Sequence, residues 1–159
     1  MSEPIVEGAD IPAEYGSPNE RLEWDDVERK LESASVYWIA STRGDGRPHV
    51  VPRDGLWLDG GLFYGGSPKT VHYRNITHNP HVVVHIGDGY EAIIAEGSVV
   101  IEEPTEAMAV RLSDASYAKY PQYGRPDPGR YMGGVSVLRP TRVLAWTSLT
   151  ENATRFRFE

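Results

Sequence analysis

The sequence predicts a mainly antiparallel β protein in which about six strands form a small barrel, interrupted by two or three short helices. Runs rich in β-branched and aromatic residues alternate with Asp-Gly and Gly-Gly pairs, a pattern typical of strands joined by hairpin turns. Few segments show apolar residues at helical spacing. Because exposed sheet edges invite aggregation, such strands are expected to curl into a barrel that covers its own edges.

Residues 1–23 are predicted to be an extended arm, and residues 24–159 a single domain. Prolines and glycines interrupt any periodic pattern in the arm. The first helix is expected to begin at Asp25, with Glu28 three residues later as its capping partner. The residues at helical spacing that would form its buried stripe are Trp24, Val27, Leu31 and Ala34.

The remaining elements follow from turn signals and from the period of the apolar residues. Further helices are expected at 67–79 and 105–120, and Gly97 is expected to mark a β-bulge. The expected strands lie at 35–42, 47–53, 56–58, 62–64, 81–86, 90–102, 135–138 and 143–147. Six residues are predicted to lie in or near the core: Trp38, Ile39, Val50, Val84, Ile93 and Ile94.

Composition limits the class of protein. A chain of 159 residues with 40% hydrophobic content suits one ordinary globular domain. No apolar run is long enough to span a membrane, and no signal peptide is visible, so cytoplasmic location is the expectation. The absence of cysteine excludes disulfides and thiolate chemistry. A net charge of −7 argues against general nucleic-acid binding.

Residues 60–87 contain no Asp or Glu, although the chain has 23 acidic residues. The same stretch holds Lys69, Arg74 and four of the five histidines, and Ser67 reads as the start of a helix. Helix starts bind phosphate through free amides and the positive end of the dipole. The stretch therefore indicates a site for a small anionic ligand, or else a chance lack of acids in a buried strand and a polar helix.

Other chemistries find little support in the sequence. His81 and His85 would share one face of a strand, but a metal site needs further ligands, and none is predicted. The segment 65–70 lacks the first glycine of a phosphate-binding P-loop, and no nucleophile-elbow sequence is present. This lack of self-sufficient catalytic motifs favours a bound cofactor.

Several motifs resemble the pyridoxamine 5′-phosphate oxidase-like family. They are Ile39-Ala40-Ser41-Thr42-Arg43 followed by Asp45-Gly46-Arg47-Pro48-His49-Val50-Val51-Pro52, then Leu62-Phe63-Tyr64-Gly65-Gly66-Ser67-Pro68, Arg74-Asn75-Ile76, Asn79-Pro80, Pro140-Thr141-Arg142-Val143 and Ala153-Thr154-Arg155-Phe156. The resemblance covers most of residues 24–158. It implies a Greek-key, six-stranded split β-barrel that forms a homodimer with a flavin at the interface. The ending at 153–158 is similar to deazaflavin (coenzyme F-420) dependent branches.

The resemblance also implies which residues bind the cofactor. The ring would lie against Pro52, Arg53 and Asp54 and near Gly65, and the phosphate would lie by the helix that Ser67 opens. The remaining residues of this predicted site are Lys69, Thr70, His72, Arg74 and Asn75. Two departures stand out, because the family often has Lys in place of His72 and Arg in place of Thr70. The ending of a true pyridoxamine phosphate oxidase is absent, so vitamin B6 oxidation is not expected.

Two functions remain open at this point. The first is an oxidoreductase that passes hydride between reduced F-420 or FMN and a small organic acceptor, with no catalytic side chain assigned. The second is a non-catalytic carrier or store for a flavin, a deazaflavin or a tetrapyrrole. F-420 would need a basic track for its anionic tail, for which the sequence offers Arg130, Arg139, Arg142, Arg155 and Arg157. Pairing of these arginines with acids such as Glu102, Glu103 and Glu106 would favour FMN.

Overall fold

The computed structural model describes residues 3–159, in which nine antiparallel strands form one open sheet. The strands are β1 (Ile5–Gly8), β2 (Tyr37–Thr42), β3 (Pro48–Arg53), β4 (Leu56–Leu58), β5 (Gly61–Tyr64), β6 (His81–Gly87), β7 (Ala92–Glu102), β8 (Val135–Trp146) and β9 (Thr154–Arg157). They lie in the order β1-β9-β8-β7-β6-β2-β3, and β5 pairs with both β4 and β8. The mainly antiparallel fold is confirmed, and the open sheet is compatible with a split barrel.

The nine strands differ in two ways from the eight strand segments expected from the sequence. Residues 154–157 and part of the N-terminal segment are strands that the sequence analysis did not identify. In addition, β8 is one continuous strand where two were expected on either side of Pro140. Pro140 lies opposite Gly97, where the register of β7 shifts. The predicted bulge at Gly97 is confirmed, and it lets the proline stay within the strand.

The N-terminal segment is more structured than an extended arm. Strand β1 pairs with β9, so that Ile5 lies opposite Arg157, and residues 13–15 form a short 3₁₀ helix. The first two residues of the predicted arm lie outside the described residues. Within residues 3–159, no helix is long and apolar enough to cross a membrane.

In the described part of the chain, five α-helices accompany the sheet: α1 (Trp24–Ser33), α2 (Val71–His78), α3 (Glu106–Lys119), α4 (Gly129–Met132) and α5 (Leu149–Asn152). Helix α1 begins one residue before the expected start. Its N-cap is Glu23, which makes no capping hydrogen bond through its side chain, so the predicted cap at Asp25 was wrong. The buried stripe is confirmed at Val27 and Leu31.

Helix α2 begins later than predicted, because Thr70 and not Ser67 caps it. The Thr70 hydroxyl accepts a hydrogen bond from the Tyr73 amide at 3.2 Å. Residues 67–70 form a turn instead, in which the Thr70 amide donates to the Ser67 carbonyl at 3.0 Å. The Ser67 hydroxyl accepts from the Lys69 amide at 3.2 Å, as expected of a turn-forming serine.

Two apolar clusters form the core. The larger cluster lies between the sheet and α1, and the smaller packs β4, β5 and β8 against α3. Ile39, Val84 and Ile93 are buried as predicted, whereas Trp38 and Val50 are 41% and 52% exposed. Those two core assignments were wrong. Alternate residues of a strand point to opposite faces of the sheet, and because Ile39 faces inward, Trp38 faces outward. Val50 pairs with Ala40 on β2 and therefore shares the outer face with Trp38.

Strand β3 forms one edge of the main strand order and carries two prolines. Pro48 pairs with Thr42 and Pro52 with Trp38 on β2. The residues of β3 alternate between exposed and partly buried, and Pro48, Val50 and Pro52 share the exposed side. The end of β3 then leads into the corner that positions the candidate site.

Candidate functional site

A cavity of about 670 Å³ lies between the β3–β4 corner, the end of β5 and helix α3. This volume is within the range of pockets that hold a small organic ligand. One wall is polar and is built from Gly55, Gly66 and four residues of the predicted cofactor site. Those four are Pro52, Arg53, Asp54 and Gly65.

The opposite wall of the cavity is aromatic and apolar. It comes from β5, from α3 and from the segment that leads to α4, and it includes Phe63, Leu112, Tyr120, Tyr123 and Tyr131. Sequence reasoning missed this wall as part of a site. The available signal was a Pro/Gly-rich loop with tyrosines at its ends, which is typical of loops but does not show what the loop faces.

Arg53 is a partly buried cation without an acidic partner among the described residues. Its side chain lies against the backbone of Gly66, where an added Cβ would stand 3.1 Å from the Arg53 Nη2 atom. Its Nε atom is buried and makes no hydrogen bond. Because an uncompensated buried charge is costly, this guanidinium is suited to an anionic or strongly polar ligand.

Behind Arg53, a buried tyrosine and histidine form a pair. The Tyr64 hydroxyl and the His72 Nε2 atom lie 3.0 Å apart. Burial, with the nearby charge of Arg53 and the ring of His49, lowers the pKa of His72 to about 4. Burial and the neighbouring arginines also lower the pKa of His49. Both imidazoles have a buried Nδ1 atom without a partner, so the cluster keeps unused hydrogen-bonding capacity.

The neutral state of His72 bears on the predicted phosphate site. Where the family often has a lysine, this chain has a ring that is 3% exposed and uncharged near pH 7. Asn75, also predicted at the site, is buried and donates to the Ser41 hydroxyl at 3.0 Å. The side chains of His72 and Asn75 therefore lie on the buried side of helix α2 and not on its exposed surface.

The other predicted phosphate residues lie at the surface start of α2. Ser67, Lys69 and Arg74 are exposed and Thr70 is partly buried, and none of the four is among the residues that line the cavity. Arg74 donates to the Lys69 carbonyl at 3.0 Å. Neither cation has an acidic partner within residues 3–159. Gly66 directly precedes this turn in the chain, and its backbone lies against the Arg53 side chain, so the two parts of the predicted site are close in space.

Hydrogen bonds from Lys119, at the end of α3, stabilise the β3–β4 corner. The Lys119 ammonium donates to the Tyr37 hydroxyl at 2.9 Å and to the Gly55 carbonyl at 3.0 Å. Burial lowers the pKa of Lys119 to about 8. The Tyr120 hydroxyl donates to the Ser35 carbonyl at 2.9 Å, and its distance to the Gly55 carbonyl is 3.0 Å. The end of α3 thus holds the polar wall of the cavity in place.

The histidines of β6 make other contacts. The His81 Nδ1 atom lies 3.0 Å from the Ser98 hydroxyl, and the His85 ring stacks on Trp38 with centroids 6.4 Å apart. Across residues 3–159, no group of three or more His, Asp or Glu side chains is placed to hold a metal ion.

Four of the five arginines that were considered for an F-420 tail pair with acids of the same chain. The pairs, with their N–O distances, are Arg139–Glu102 at 3.1 Å, Arg142–Glu96 at 2.6 Å, Arg155–Asp10 at 3.5 Å and Arg157–Glu7 at 2.9 Å. Only Arg130 lines the cavity and has no acidic partner among the described residues. Pairing of these arginines with acids is the arrangement expected for FMN, whereas an F-420 tail was expected to need free arginines.

The open antiparallel sheet with its short helices has the architecture of a split barrel, and the cavity at its β3–β4 corner carries an arginine without an acidic partner among residues 3–159. The sequence model of the Pyridoxamine 5′-phosphate oxidase family matches residues 24–147. This match spans well over half of the chain, and the protein belongs to that family. No curated protein matches the chain.

Solved structures show the same fold. The conserved hypothetical protein Rv2991 from Mycobacterium tuberculosis aligns with a TM-score of 0.67 and 18% identity, over 82% of this chain and 88% of that one. An F420 reductase aligns with a TM-score of 0.53 and 28% identity, over 73% and 94%. The heme storage protein HutZ from Vibrio cholerae aligns with a TM-score of 0.62 and 16% identity, over 82% and 99%. Proteins with this fold therefore include a reductase and a heme storage protein.

Proposed function

We propose that this protein is an oxidoreductase that uses F-420 or FMN and passes hydride to a small organic acceptor. The observation that carries the proposal is Arg53, a partly buried guanidinium without an acidic partner among the described residues. It lies on the strand against which the cofactor ring is expected from the family resemblance. Membership of the pyridoxamine 5′-phosphate oxidase family supports it at the level of chemistry. The 28% identity to an F420 reductase supports the deazaflavin branch.

The residues present fit such a cofactor. Arg53 would bind a polar edge or anionic part of it through the Nε atom that now lacks a partner. Gly65 has open space where a Cβ would be, so its backbone allows a flat ring to approach. Lys69 and Arg74 would attract the phosphate to the start of α2, where the amides not capped by Thr70 point outward.

The chemistry requires little else from the chain. When bound, the reduced cofactor supplies the hydride. The polar wall would orient the ring, and the aromatic wall would border the space left for an acceptor.

The choice between the two cofactors rests on opposing observations. The similarity to an F420 reductase favours F-420. The ion pairs of Arg139, Arg142, Arg155 and Arg157 favour FMN, because they leave little free positive charge for an anionic tail. The proposal therefore includes both, and a titration at low salt decides between them.

We also propose that the chain forms a homodimer through the outer face of β2, β3 and β6. Trp38, Val50 and Pro52 are exposed on this face, and His85 stacks on Trp38. Contiguous exposed apolar side chains mark interaction surfaces. Since Pro52 also lines the cavity, a partner on this face would lie next to the cofactor.

Sedimentation analysis tests the dimer with a matched pair of variants. Trp38→Asp is expected to give monomers, while Val110→Asp, at an equally exposed valine on α3, is expected to sediment as the wild type does. A monomeric wild type, or a Trp38→Asp variant that stays dimeric, would refute this interface.

Cofactor titrations test the site. FMN and F-420 are titrated against the wild type, Arg53→Ala and the double variant Lys69→Ala/Arg74→Ala. Because a charge-assisted hydrogen bond is worth roughly 1.5–3 kcal/mol, each variant is expected to lose about tenfold or more in affinity. Arg29→Ala, in a surface pair with Asp26 on α1, is the control and keeps wild-type affinity. Unchanged affinity of Arg53→Ala for both cofactors refutes the site.

Anaerobic stopped-flow then separates an enzyme from a carrier. The protein with reduced cofactor is mixed with quinones, enones and biliverdin, and re-oxidation of the cofactor is followed by absorbance. An enzyme accelerates re-oxidation by at least one acceptor beyond the rate in free solution. If no acceptor does so, the protein is a carrier, and the oxidoreductase proposal is wrong.

A further inference from the structure

The aromatic wall of the cavity belongs to a segment that is fixed in place. The segment runs from Tyr120 through the 3₁₀ helix at 121–123 to the end of α4. The Ser113 hydroxyl of α3 donates to the Pro126 carbonyl at 2.6 Å, and Tyr120 is tied to the β3–β4 corner through its hydroxyl. The rings of Tyr120 and Tyr123 lie 6.2 Å apart at 32°. The Tyr120 hydroxyl is anchored, and the Tyr123 ring beside it is 70% exposed and therefore available to a flat ligand.

Two arginines on this segment have different surroundings. Arg125 pairs with Asp114 and lies over the Tyr117 ring at 5.4 Å, so its positive charge is already compensated. Arg130 lines the cavity and has no acidic partner among residues 3–159. Among residues 3–159, Asp54 is the only acidic residue that lines the cavity, and it lies on the polar wall. The aromatic side of the cavity therefore carries a net positive charge.

We propose that this aromatic side binds a planar conjugated molecule bearing a carboxylate, with Arg130 as the partner of the carboxylate. The rings of Tyr123 and Tyr131, the more exposed aromatic side chains of the cavity, contact its flat faces, and the guanidinium donates two hydrogen bonds to the carboxylate. The inference rests on the proposed function, since it names the class of hydride acceptor. Arg53 and Arg130 thus divide the cavity into a cofactor end and an acceptor end.

Equilibrium binding of two matched probes tests this assignment. The probes are 2-naphthoate and its neutral analogue 2-naphthamide, titrated by calorimetry into the full-length protein with and without bound FMN. The wild type is expected to bind 2-naphthoate about tenfold more tightly than 2-naphthamide, because the neutral probe forfeits one charge-assisted pair. Arg130→Ala is expected to abolish this preference, and Arg125→Ala to retain it.

The outcomes separate the inference from the proposed function. Equal affinity of the wild type for both probes, no binding of 2-naphthoate, or a preference that survives in Arg130→Ala overturns the inference. An Arg130→Ala variant that loses affinity for F-420 but not for 2-naphthoate also overturns it and assigns Arg130 to the cofactor. If the wild type binds 2-naphthoate selectively but neither FMN nor F-420, the proposed function fails while the carboxylate site remains.

Discussion

Replacement of the buried His72 is expected to change how the stability of the protein depends on pH. In the unfolded chain an imidazole takes up a proton below about pH 6.5, whereas burial lowers the pKa of His72 in the folded protein to about 4. Between these values the unfolded state binds more protons. The free energy of unfolding therefore falls as the pH falls through this window, and the contribution is fully present only above pH 6.5.

The size of the effect follows from the two pKa values. Because the unfolded state takes up this proton, the free energy of unfolding is lower at pH 5 than at pH 8 by about 2 kcal/mol. Below pH 4 the difference from pH 8 approaches about 3 kcal/mol. His72→Gln removes this term. The variant is less stable at pH 8, because the contact with Tyr64 is altered, but its stability falls less steeply between pH 7 and pH 4.5.

Urea denaturation at a series of pH values measures this difference. His78→Gln is the control, because His78 is exposed on the last turn of the same helix, and it is expected to keep the wild-type steepness. Arg53→Gln is expected to flatten the curve in part, because the Arg53 charge helps to lower the pKa of His72. If His72→Gln loses stability with falling pH as steeply as the wild type does, the burial of a neutral His72 is refuted.

Three further predictions concern the bulge, the helix cap and the cofactor. Gly97→Ala is expected to lower the urea midpoint strongly, because the added Cβ would stand 2.1 Å from a backbone carbonyl oxygen of β8. Gly133→Ala is the control, because Gly133 has open space around it. Similar midpoints for the two variants would contradict the bulge geometry. Thr70→Ala is expected to cost about 1 kcal/mol of stability, measured by thermal unfolding, while Ser67→Ala changes little; the reverse order would restore Ser67 as the cap. FMN and F-420 are expected to show similar salt dependence of affinity, since the arginines considered for the tail are paired; a much steeper slope for F-420 would show that those pairs open.

The sequence was sufficient for the fold class because its strand and turn signals are local. Asp59-Gly60 forms the expected turn, with both residues at positive φ, and α3 lies within one residue of its predicted bounds at each end. Errors arose where a local signal competed with tertiary context. Pro140 looked like a strand end, and only the bulge across the sheet at Gly97 explains why it is not one.

The candidate site was predictable in part for a similar reason. Pro52, Arg53, Asp54 and Gly65 lie close in sequence to hairpins, and they do meet at the cavity. The aromatic wall joins residues 63 and 112–135, and their proximity depends on how α3 packs against β4 and β5. The burial of His72 likewise depends on the packing of α2, which the residue type alone does not reveal.

The prolines of β3 restrict the ways in which two copies of this chain can associate. Amides of residues 48, 50 and 52 point to the same side of the strand, and prolines in a sheet are confined to positions where that side faces outward. The free edge of β3 therefore offers the Val50 amide alone among these three. A second copy cannot extend the sheet by continuous strand pairing there, which removes a common route to fibrous aggregation. Association at this end of the molecule must then proceed face to face, through side chains, and it can stop at a closed pair.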